Sequence, residues 1–344
     1  MMTERENYLR AIGFGKPQWI PCSVGLSPLA WRTHREKLEE LVLRHPRIFR
    51  DYHKGQTDFD YLPCGYKKGF YRDNWECLWH TSVEGLEGQV VEHPLANWEA
   101  FDSYQPPDPL TKAERSEHDW KEIRKGIETA RARGELTSGW GERLFDRLYF
   151  LRGFENLMID IATDEPRLPR LIKMLEEHEM RLTNLWLEIG VDLMCYHTDI
   201  GTQNALMISP EKFRKLLKPT FTKIFGACRR AGAYVALSSD GNLLEIVDDL
   251  VECGVSVHDP QLRANTLEGI RRRYKGKMCI NLDLDRQMFP FCKPADIREQ
   301  VKEGVEALNS PEGGLMMQAA VYGGDVPLEN IEAICSAMEE YCLG

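Results

Sequence analysis

The chain has 344 residues, of which 42% are hydrophobic and 28% charged, which is enough material for one large core or two ordinary domains. A formal net charge of −10 argues against nucleic acid as the main partner, and no apolar run approaches the roughly 18–20 residues of a membrane span. The ten cysteines are scattered and the first residues are charged from Glu4 onward, so we predict reduced thiols, no signal peptide and a cytoplasmic location.

The N-terminal part of the chain changes character near residue 65. Before that point the pattern predicts a helix at 3–12, a strand at 19–24, a helix at 31–45 and a weaker strand at 58–63. The stretch of about 65–110 is rich in tryptophan and turn residues and has no strand–helix alternation. We predict that it is a β-rich insertion that caps one end of the main domain.

From residue 120 onward, predicted strands and helices alternate regularly. The strands are 136–140, 193–197, 235–239, 255–258, 278–282 and 315–318. The helices are 120–133, 164–189, one from Ser209, 243–252, 266–274, 294–308 and one from Asp325. Ser209 and Pro210 form a helix-start signal, and Pro219 should kink or divide the helix that follows.

Eight predicted strands, most of them followed by a helix, are accommodated most economically by one (β/α)8 TIM barrel, an α/β fold, spanning residues 1–344. A doubly wound open sheet is the alternative. Against it, the sequence has no Gly-x-Gly-x-x-Gly after the first strand and no Gly-x-x-x-x-Gly-Lys-Ser/Thr.

Polar residues recur where the predicted strands end, and in a TIM barrel these ends face the active site. They are Ser23, His197 with Asp199, Ser238 with Asp240, His258 with Asp259, Asn281 with Asp283, and Gln318. Because burying such groups costs free energy unless they are paired or hydrated, we interpret them as the lining of a shared polar pocket. A network that only stabilises loops is the alternative.

His197, Asp199 and Asp240 are the predicted catalytic residues. His197 and Asp199 are two positions apart, so on an extended chain they share a face and could form an Asp-oriented imidazole. A histidine that caps a loop carbonyl explains the pattern equally well. Asp283 and Asp285 could raise each other's pKa or bind a cation, unless Arg286 neutralises them.

The predicted substrate-binding residues extend beyond the strand ends. The full set is Trp75, Trp79, Arg152, Glu155, Asn156, Gln203, Ser238, Asn242, His258, Asn281, Asp283, Gln318 and Tyr322. The tryptophans could cover a flat organic ligand, although they more often form the small core of an insertion, and a helix cap explains Asn156 without any function. His258-Asp259-Pro260 is also an ordinary turn signal.

For a metal, His197, Asp199, Asp240 and His258 are the residues that could converge. Zinc needs three or four converging His, Cys or acidic ligands, and the sequence spacing does not show such convergence. No metal site is therefore predicted.

Four motifs resemble the uroporphyrinogen decarboxylase superfamily. They are Asp-Ile-Gly-Thr-Gln (199–203), Ile-Ser-Pro-Glu-Lys-Phe (208–213), Ser-Asp-Gly-Asn (239–242) and Asp-Val-Pro-Leu-Glu-Asn-Ile (325–331). The resemblance covers most of the chain and is strongest from about 135 to 341. It implies a TIM barrel with a cleft at the strand C-termini, and either cofactor-free porphyrinogen decarboxylation or methyl exchange with corrinoid proteins.

The chain departs from the decarboxylases of that superfamily. Their Arg-Gln-Ala-Gly-Arg segment, which holds substrate carboxylates, is replaced by Cys-Ser-Val-Gly-Leu-Ser-Pro-Leu-Ala-Trp-Arg (22–32), and their late His-Gly is missing near Ala320. A pocket lined by aspartates also suits an octa-anionic porphyrinogen poorly. The resemblance therefore favours the methyltransferase side.

Thiol-directed methyltransferases of the superfamily hold zinc with His-x-Cys and a later Cys. Here the pair is replaced by Ser238-Ser239-Asp240, and the last strand offers Met316, Met317 and Gln318. The resemblance thus implies neither zinc nor another tightly bound cofactor.

The resemblance leads to a functional expectation: transfer of a methyl group between a small methoxylated or methylamine compound and a corrinoid (cobalamin) protein. A carboxyl or imidazole would protonate the leaving group. A cofactor-free decarboxylase acting on a porphyrinogen or a smaller acid, and a non-catalytic tetrapyrrole- or corrinoid-binding protein, are the alternatives. A homodimer is left open.

Overall fold

The structure, a computed structural model, describes residues 2–344, and its main feature is a seven-stranded parallel sheet of order β1-β10-β9-β8-β7-β6-β5. Its strands are β1 (Cys22–Leu26), β5 (Ser138–Trp140), β6 (Leu193–His197), β7 (Tyr234–Ser238), β8 (Val257–His258), β9 (Cys279–Asp283) and β10 (Leu315–Val321). The remaining strands, β2 (Gly69–Arg72), β3 (Leu78–Thr81) and β4 (Gln89–Glu92), form a separate antiparallel sheet.

Thirteen helices are present among the described residues. They are α1 (Glu4–Ile12), α2 (Pro28–Arg44), α3 (Trp120–Ala132), α4 (Leu144–Arg152), α5 (Phe154–Thr163), α6 (Leu168–Ile189), α7 (Pro210–Leu216), α8 (Lys218–Arg230), α9 (Val247–Cys253), α10 (Leu262–Asn265), α11 (Leu267–Tyr274), α12 (Pro294–Leu308) and α13 (Leu328–Tyr341). As predicted, Ser209 caps α7 and the chain divides just before Pro219. No helix within residues 2–344 combines the length and apolarity needed to cross a bilayer.

The predicted α/β fold with a parallel sheet is confirmed, but the prediction of eight barrel strands is wrong. Residues 58–63 form a turn, in which the Asp58 carboxylate accepts a hydrogen bond of 3.0 Å from the backbone N–H of Asp60. Such a local side-chain bond competes with strand pairing. Within the described chain, β1 and β5 each pair with one strand and remain the sheet edges.

The two faces of the parallel sheet differ. In β10, Leu315, Met317, Ala319 and Val321 are buried, whereas the alternate residues, including Met316 and Gln318, are partly exposed. Because side chains alternate along a strand, the first set packs under the helices and the second faces a cavity. The helix-covered face therefore holds most of the core, and the other face is open to ligands.

One end of that open face is closed by α1. Ile12 packs with Leu193, Val257 and Cys279, which lie at or near the N-terminal ends of their strands. The backbone N–H of Gly314 also donates to the carbonyl of Ala11 at 2.9 Å. Access to the cavity is consequently from the C-terminal ends of the strands, as in TIM-barrel enzymes.

The tryptophan-rich segment builds its own small core. Trp75 and Trp79 are 1% and 2% exposed, and the Trp79 indole N–H donates to the Asp73 carboxylate at 2.8 Å. Trp79 also packs edge-on against Phe150 of α4. The segment is thus anchored to the main domain, while its action as a cap stays a prediction.

Candidate active site

A polar cavity of about 490 Å³ lies at the C-terminal ends of the parallel strands. We call it the outer chamber; it is lined by Glu87, Arg143, His197, Asp199, Ser238, Asp240, Asp259, Asp283, Arg286, Gln318, Ala320 and Tyr322. Seven of the predicted catalytic and substrate-binding residues, together with Asp259, therefore meet here, because their strands are parallel neighbours in one sheet.

A second cavity of about 300 Å³ continues between the strands below the first. This lumen chamber is lined by Trp140, Leu193, Cys195, Tyr196, His197, Ala236, Leu237, Ser238, Val257, Asp259, Asn281, Met316 and Gln318. Four residues line both chambers: His197, Ser238, Asp259 and Gln318. They mark the junction between a polar space above and a largely apolar space below.

The loops after β6 and β7 are held close together. The Asp240 backbone N–H donates to Oδ1 of Asp199 at 2.9 Å. Gly241, with φ of 91°, lies so near the backbone of Gly201 that an added Cβ would be 2.3 Å from its carbonyl carbon. Glycine at 241 is required both by this contact and by the positive φ. The approach places the Asp199 and Asp240 side chains in one chamber.

Asp259 occupies the junction of the two chambers. Its carboxylate accepts hydrogen bonds from Ser238 Oγ (2.6 Å), the Ser239 backbone N–H (3.1 Å) and Gln318 Nε2 (3.3 Å). These bonds favour the ionised form, but burial favours the neutral form more strongly and raises the pKa of Asp259 to about 6. This carboxyl can therefore hold or release a proton near neutral pH.

Arg286 joins two further carboxylates of the outer chamber. Its guanidinium donates to Asp240 at 2.7 Å and to Asp283 at 3.1 Å, and lies 4.9 Å from the ring centre of Tyr322. Burial nevertheless raises the pKa of Asp283 to about 7 and also raises the pKa of Asp240. Asp283 is the more enclosed of the two, and its Oδ1 atom has no hydrogen-bond partner.

Asp146 joins the site from α4, which sequence reasoning did not identify. Its Oδ1 accepts from Tyr149 Oη (2.7 Å) and from the Asp199 backbone N–H (2.9 Å), and burial raises its pKa to about 6. Ligand-type atoms of Asp146, His197 and Asp199 lie within 4.8 Å of one another. We assign no metal to this group.

The predicted catalytic pair faces the same chamber but is not tightly bonded. His197 Nε2 lies 3.8 Å from Asp199 Oδ1, which is beyond hydrogen-bond distance. Asp199 instead receives the Asp240 backbone N–H. The imidazole remains free to turn toward a ligand.

Several predicted substrate-binding residues lie away from both chambers. Arg152 is buried, pairs with Asp160 at 2.8 Å and donates to the carbonyl of Ala96. Asn156 donates to the same carbonyl.

Two other predicted substrate-binding residues, Glu155 and Gln203, are exposed. Asn242 donates to the carbonyl of Ala264 at 2.9 Å and thereby ties two loops together. Trp75 and Trp79 are core residues of the tryptophan-rich segment.

His258 is also separated from the site. It is fully buried, its ring is stacked on Tyr274 with the centres 5.5 Å apart, and neither ring nitrogen has a hydrogen-bond partner. Burial lowers its pKa to about 3, so the imidazole is neutral. It points behind the sheet because its neighbour Asp259 points into the cavity.

The sequence matches the family model of uroporphyrinogen decarboxylase (URO-D) over residues 82–341. The chain belongs to the uroporphyrinogen decarboxylase family. No curated protein matches the sequence significantly.

Among solved structures, a methyltransferase from Methanosarcina mazei has the same fold. It is 15% identical, the alignment covers 99% of each chain, and the TM-score is 0.64. Two other solved structures are much less similar. A D-psicose 3-epimerase is 8% identical, with 66% of this chain and 86% of that chain covered and a TM-score of 0.39. A dihydropteroate synthase from Xanthomonas albilineans is 13% identical, with 46% of this chain and 58% of that chain covered and a TM-score of 0.33.

The zinc that thiol-directed members of this family would carry does not fit the residues present. Ser238 and Asp240, which the resemblance aligns with the His-x-Cys ligands, line the outer chamber, as does Ala320 from β10. Among the described residues, Cys195 is the cysteine that lines a chamber, and burial raises its pKa to about 12. A single thiol does not replace the two cysteine ligands of that zinc site.

Proposed function

We propose that the protein is a methyltransferase that moves a methyl group from a small methylated compound to a corrinoid carried by a partner protein. The observation that carries this proposal is the set of protonatable carboxyls at the strand ends. Asp259 and Asp283 have pKa values raised to about 6 and about 7. Methyl ethers need an acid of this kind, because their leaving group departs more easily when protonated.

In the proposed reaction, the bond between the methyl carbon and the donor's oxygen or nitrogen breaks. Its electron pair stays on the heteroatom. An ether oxygen then takes a proton from a carboxyl of the site, whereas the nitrogen of a methylammonium ion leaves as a neutral amine without one. The reduced cobalt of the acceptor supplies the electron pair of the new bond to carbon. Charge and atoms balance without a further reactant.

Asp259 is the best-placed proton donor. It lines both chambers and is partly exposed to the cavity, whereas the Asp283 side chain is 3% exposed and shares Arg286 with Asp240. A general acid is most effective when its pKa lies near the working pH. Asp199, His197 and Asp240 would then line the path of the methyl group.

Charge in the outer chamber favours this proposal over decarboxylation of a porphyrinogen. The chamber has two arginines, and both are already paired: Arg143 with Glu87 at 2.9 Å, and Arg286 with Asp240 and Asp283. A substrate with many carboxylates would face five acidic side chains of the lining without a free guanidinium.

The test is methyl transfer to cob(I)alamin, followed by absorbance, with methoxybenzenes and methylamines as donors. We expect methylcobalamin to form with at least one donor, and Asp259→Asn to slow transfer by about a hundredfold, as for loss of a general acid. Absence of transfer from every donor, or full activity of Asp259→Asn, would contradict the proposal.

Asp285→Asn is the matched control for this variant. Asp285 follows the same sheet edge, but its carboxylate pairs with Arg263 at 2.8 Å and does not line either chamber. The substitution is chemically identical, so a general effect of removing a carboxylate would appear in both variants. We expect the control to transfer methyl groups at the wild-type rate.

A further inference from the structure

The lumen chamber exists because small side chains face the interior of the sheet. In the strand register, Cys195 lies opposite Ala236, which lies opposite Val257. TIM barrels usually fill this layer with bulky branched residues and leave no space. Here two of the three positions are small, and a space of about 300 Å³ remains.

The walls of this space are mostly apolar. Leu193, Val257 and Met316 line its lower part, and polar side chains appear at the junction with the outer chamber and at Asn281. Trp140, at the end of β5, contributes an indole although the residue is 64% exposed. An apolar cavity with a few polar groups at one end is the usual form of a small-molecule site.

We propose, on the basis of the proposed function, that the lumen chamber binds the planar apolar part of the methyl donor, so that the donor is a methyl ether of a single aromatic ring. A dry apolar cavity of about 150 Å³ already holds benzene in a protein. The lumen chamber is about twice that size, which leaves room for ring substituents.

The position of Asp259 agrees with this orientation. A ring in the lumen chamber would place an ether oxygen at the junction, where the Asp259 carboxyl is available. When the bond from oxygen to the methyl carbon breaks, its electron pair remains on oxygen and the proton of Asp259 converts the phenolate to a phenol. In the bound donor, the methyl group points from the junction into the outer chamber, where the acceptor's reduced cobalt can reach it.

A methylammonium donor fits the two chambers less well. It has no planar apolar part to remove from water, so the lumen chamber would contribute nothing to its binding. Two of the carboxylates that would attract it, Asp240 and Asp283, are already paired with Arg286.

The test is calorimetric titration of the full-length protein with methoxybenzene and with trimethylamine. We expect methoxybenzene to bind, and Ala236→Leu, which fills the lumen chamber, to raise its Kd by about tenfold or more. Ala132→Leu makes the same change at an exposed position of α3 and should leave the Kd unchanged. Methoxybenzene binding that Ala236→Leu does not weaken would overturn the proposal.

A second variant keeps the test decisive if Ala236→Leu does not fold. Met316→Ala enlarges the lumen chamber, and we expect it to gain affinity for methoxynaphthalene relative to the wild type. Transfer from trimethylamine but not from methoxybenzene would overturn this inference and leave the proposed function standing. Binding of methoxybenzene without methyl transfer from any donor would support ligand binding in the lumen chamber and contradict the proposed function.

Discussion

Ser238 donates a hydrogen bond of 2.6 Å from its Oγ atom to Oδ2 of Asp259. The two residues lie at the ends of neighbouring parallel strands, β7 and β8. The bond favours the ionised carboxyl, while burial favours the neutral one, and the balance leaves the pKa of Asp259 at about 6. One hydroxyl therefore influences how much acid is present at neutral pH.

Ser238→Ala should shift the pH profile of methyl transfer. Loss of a hydrogen bond to the carboxylate raises the pKa of Asp259 further, by about 1 unit. A general acid works when protonated, so the decline in rate with rising pH should move to higher pH by that amount. Ser238→Thr, which keeps the hydroxyl, should restore the wild-type profile. An unchanged decline in Ser238→Ala would show that Asp259 is not the acid.

Asp283 should make the folded state less stable as pH rises. Its pKa is raised to about 7 in the fold, against about 4 in the unfolded chain. Between these values the unfolded state has lost the proton and the folded state keeps it, so the free energy of unfolding falls as pH increases. We expect Asp283→Asn to remove about 3 kcal/mol of this fall between pH 4 and pH 7. Urea unfolding across this range, with Asp285→Asn as control, measures the effect.

Arg147 should be essential for the tryptophan-rich segment. It is 1% exposed, forms ion pairs with Asp73, Glu114 and Glu142, and lies 4.6 Å from the ring centre of Trp75. Glu114 keeps Arg115 and Arg143 when Arg147 is removed. Asp73 and Glu142 are left enclosed without a cation, which should cost about 3–5 kcal/mol.

Chemical denaturation of Arg147→Ala would measure this loss. Arg170→Ala removes an arginine that pairs with Asp102 at the surface, where both side chains are more than half exposed. This control should lose at most about 0.5 kcal/mol. Equal losses in the two variants would contradict the structural role given to Arg147.

Most of the helix and strand alternation from residue 120 onward could be predicted because it rests on local periodicity and capping, although α4 (Leu144–Arg152) and α5 (Phe154–Thr163) were not expected. Ser209 and Gly254 are found at the helix ends that their residue types indicate. The weaker strand predicted at 58–63 is instead a turn, in which the Asp58 carboxylate accepts a hydrogen bond from the Asp60 backbone N–H. The number of barrel strands therefore depended on a contact that composition does not show.

The candidate site was predictable to the extent that it lies at strand ends. His197, Asp199 and Asp240 meet because parallel neighbours end at one edge. Asp146 and Arg143 come from α4 and its preceding loop, so only the tertiary structure places them there. Trp79 was predicted to bind substrate but lies in the core. The sequence could not separate the two roles, because a tryptophan in a ligand site and one in a core occur in the same sequence pattern.

His258 should be dispensable for catalysis but should control acid stability. Its pKa is lowered to about 3 by burial, so between about pH 6.5 and pH 3 the unfolded state binds a proton that the folded state does not. The wild type should therefore lose about 2 kcal/mol between pH 7 and pH 5 from this residue. His258→Phe keeps the stacking on Tyr274 and removes both unbonded nitrogens. We expect the His258→Phe variant to transfer methyl groups at the wild-type rate at pH 7 and to have a higher free energy of unfolding than the wild type at pH 5. A large loss of methyl transfer in a folded His258→Phe protein would show that His258 contributes to catalysis.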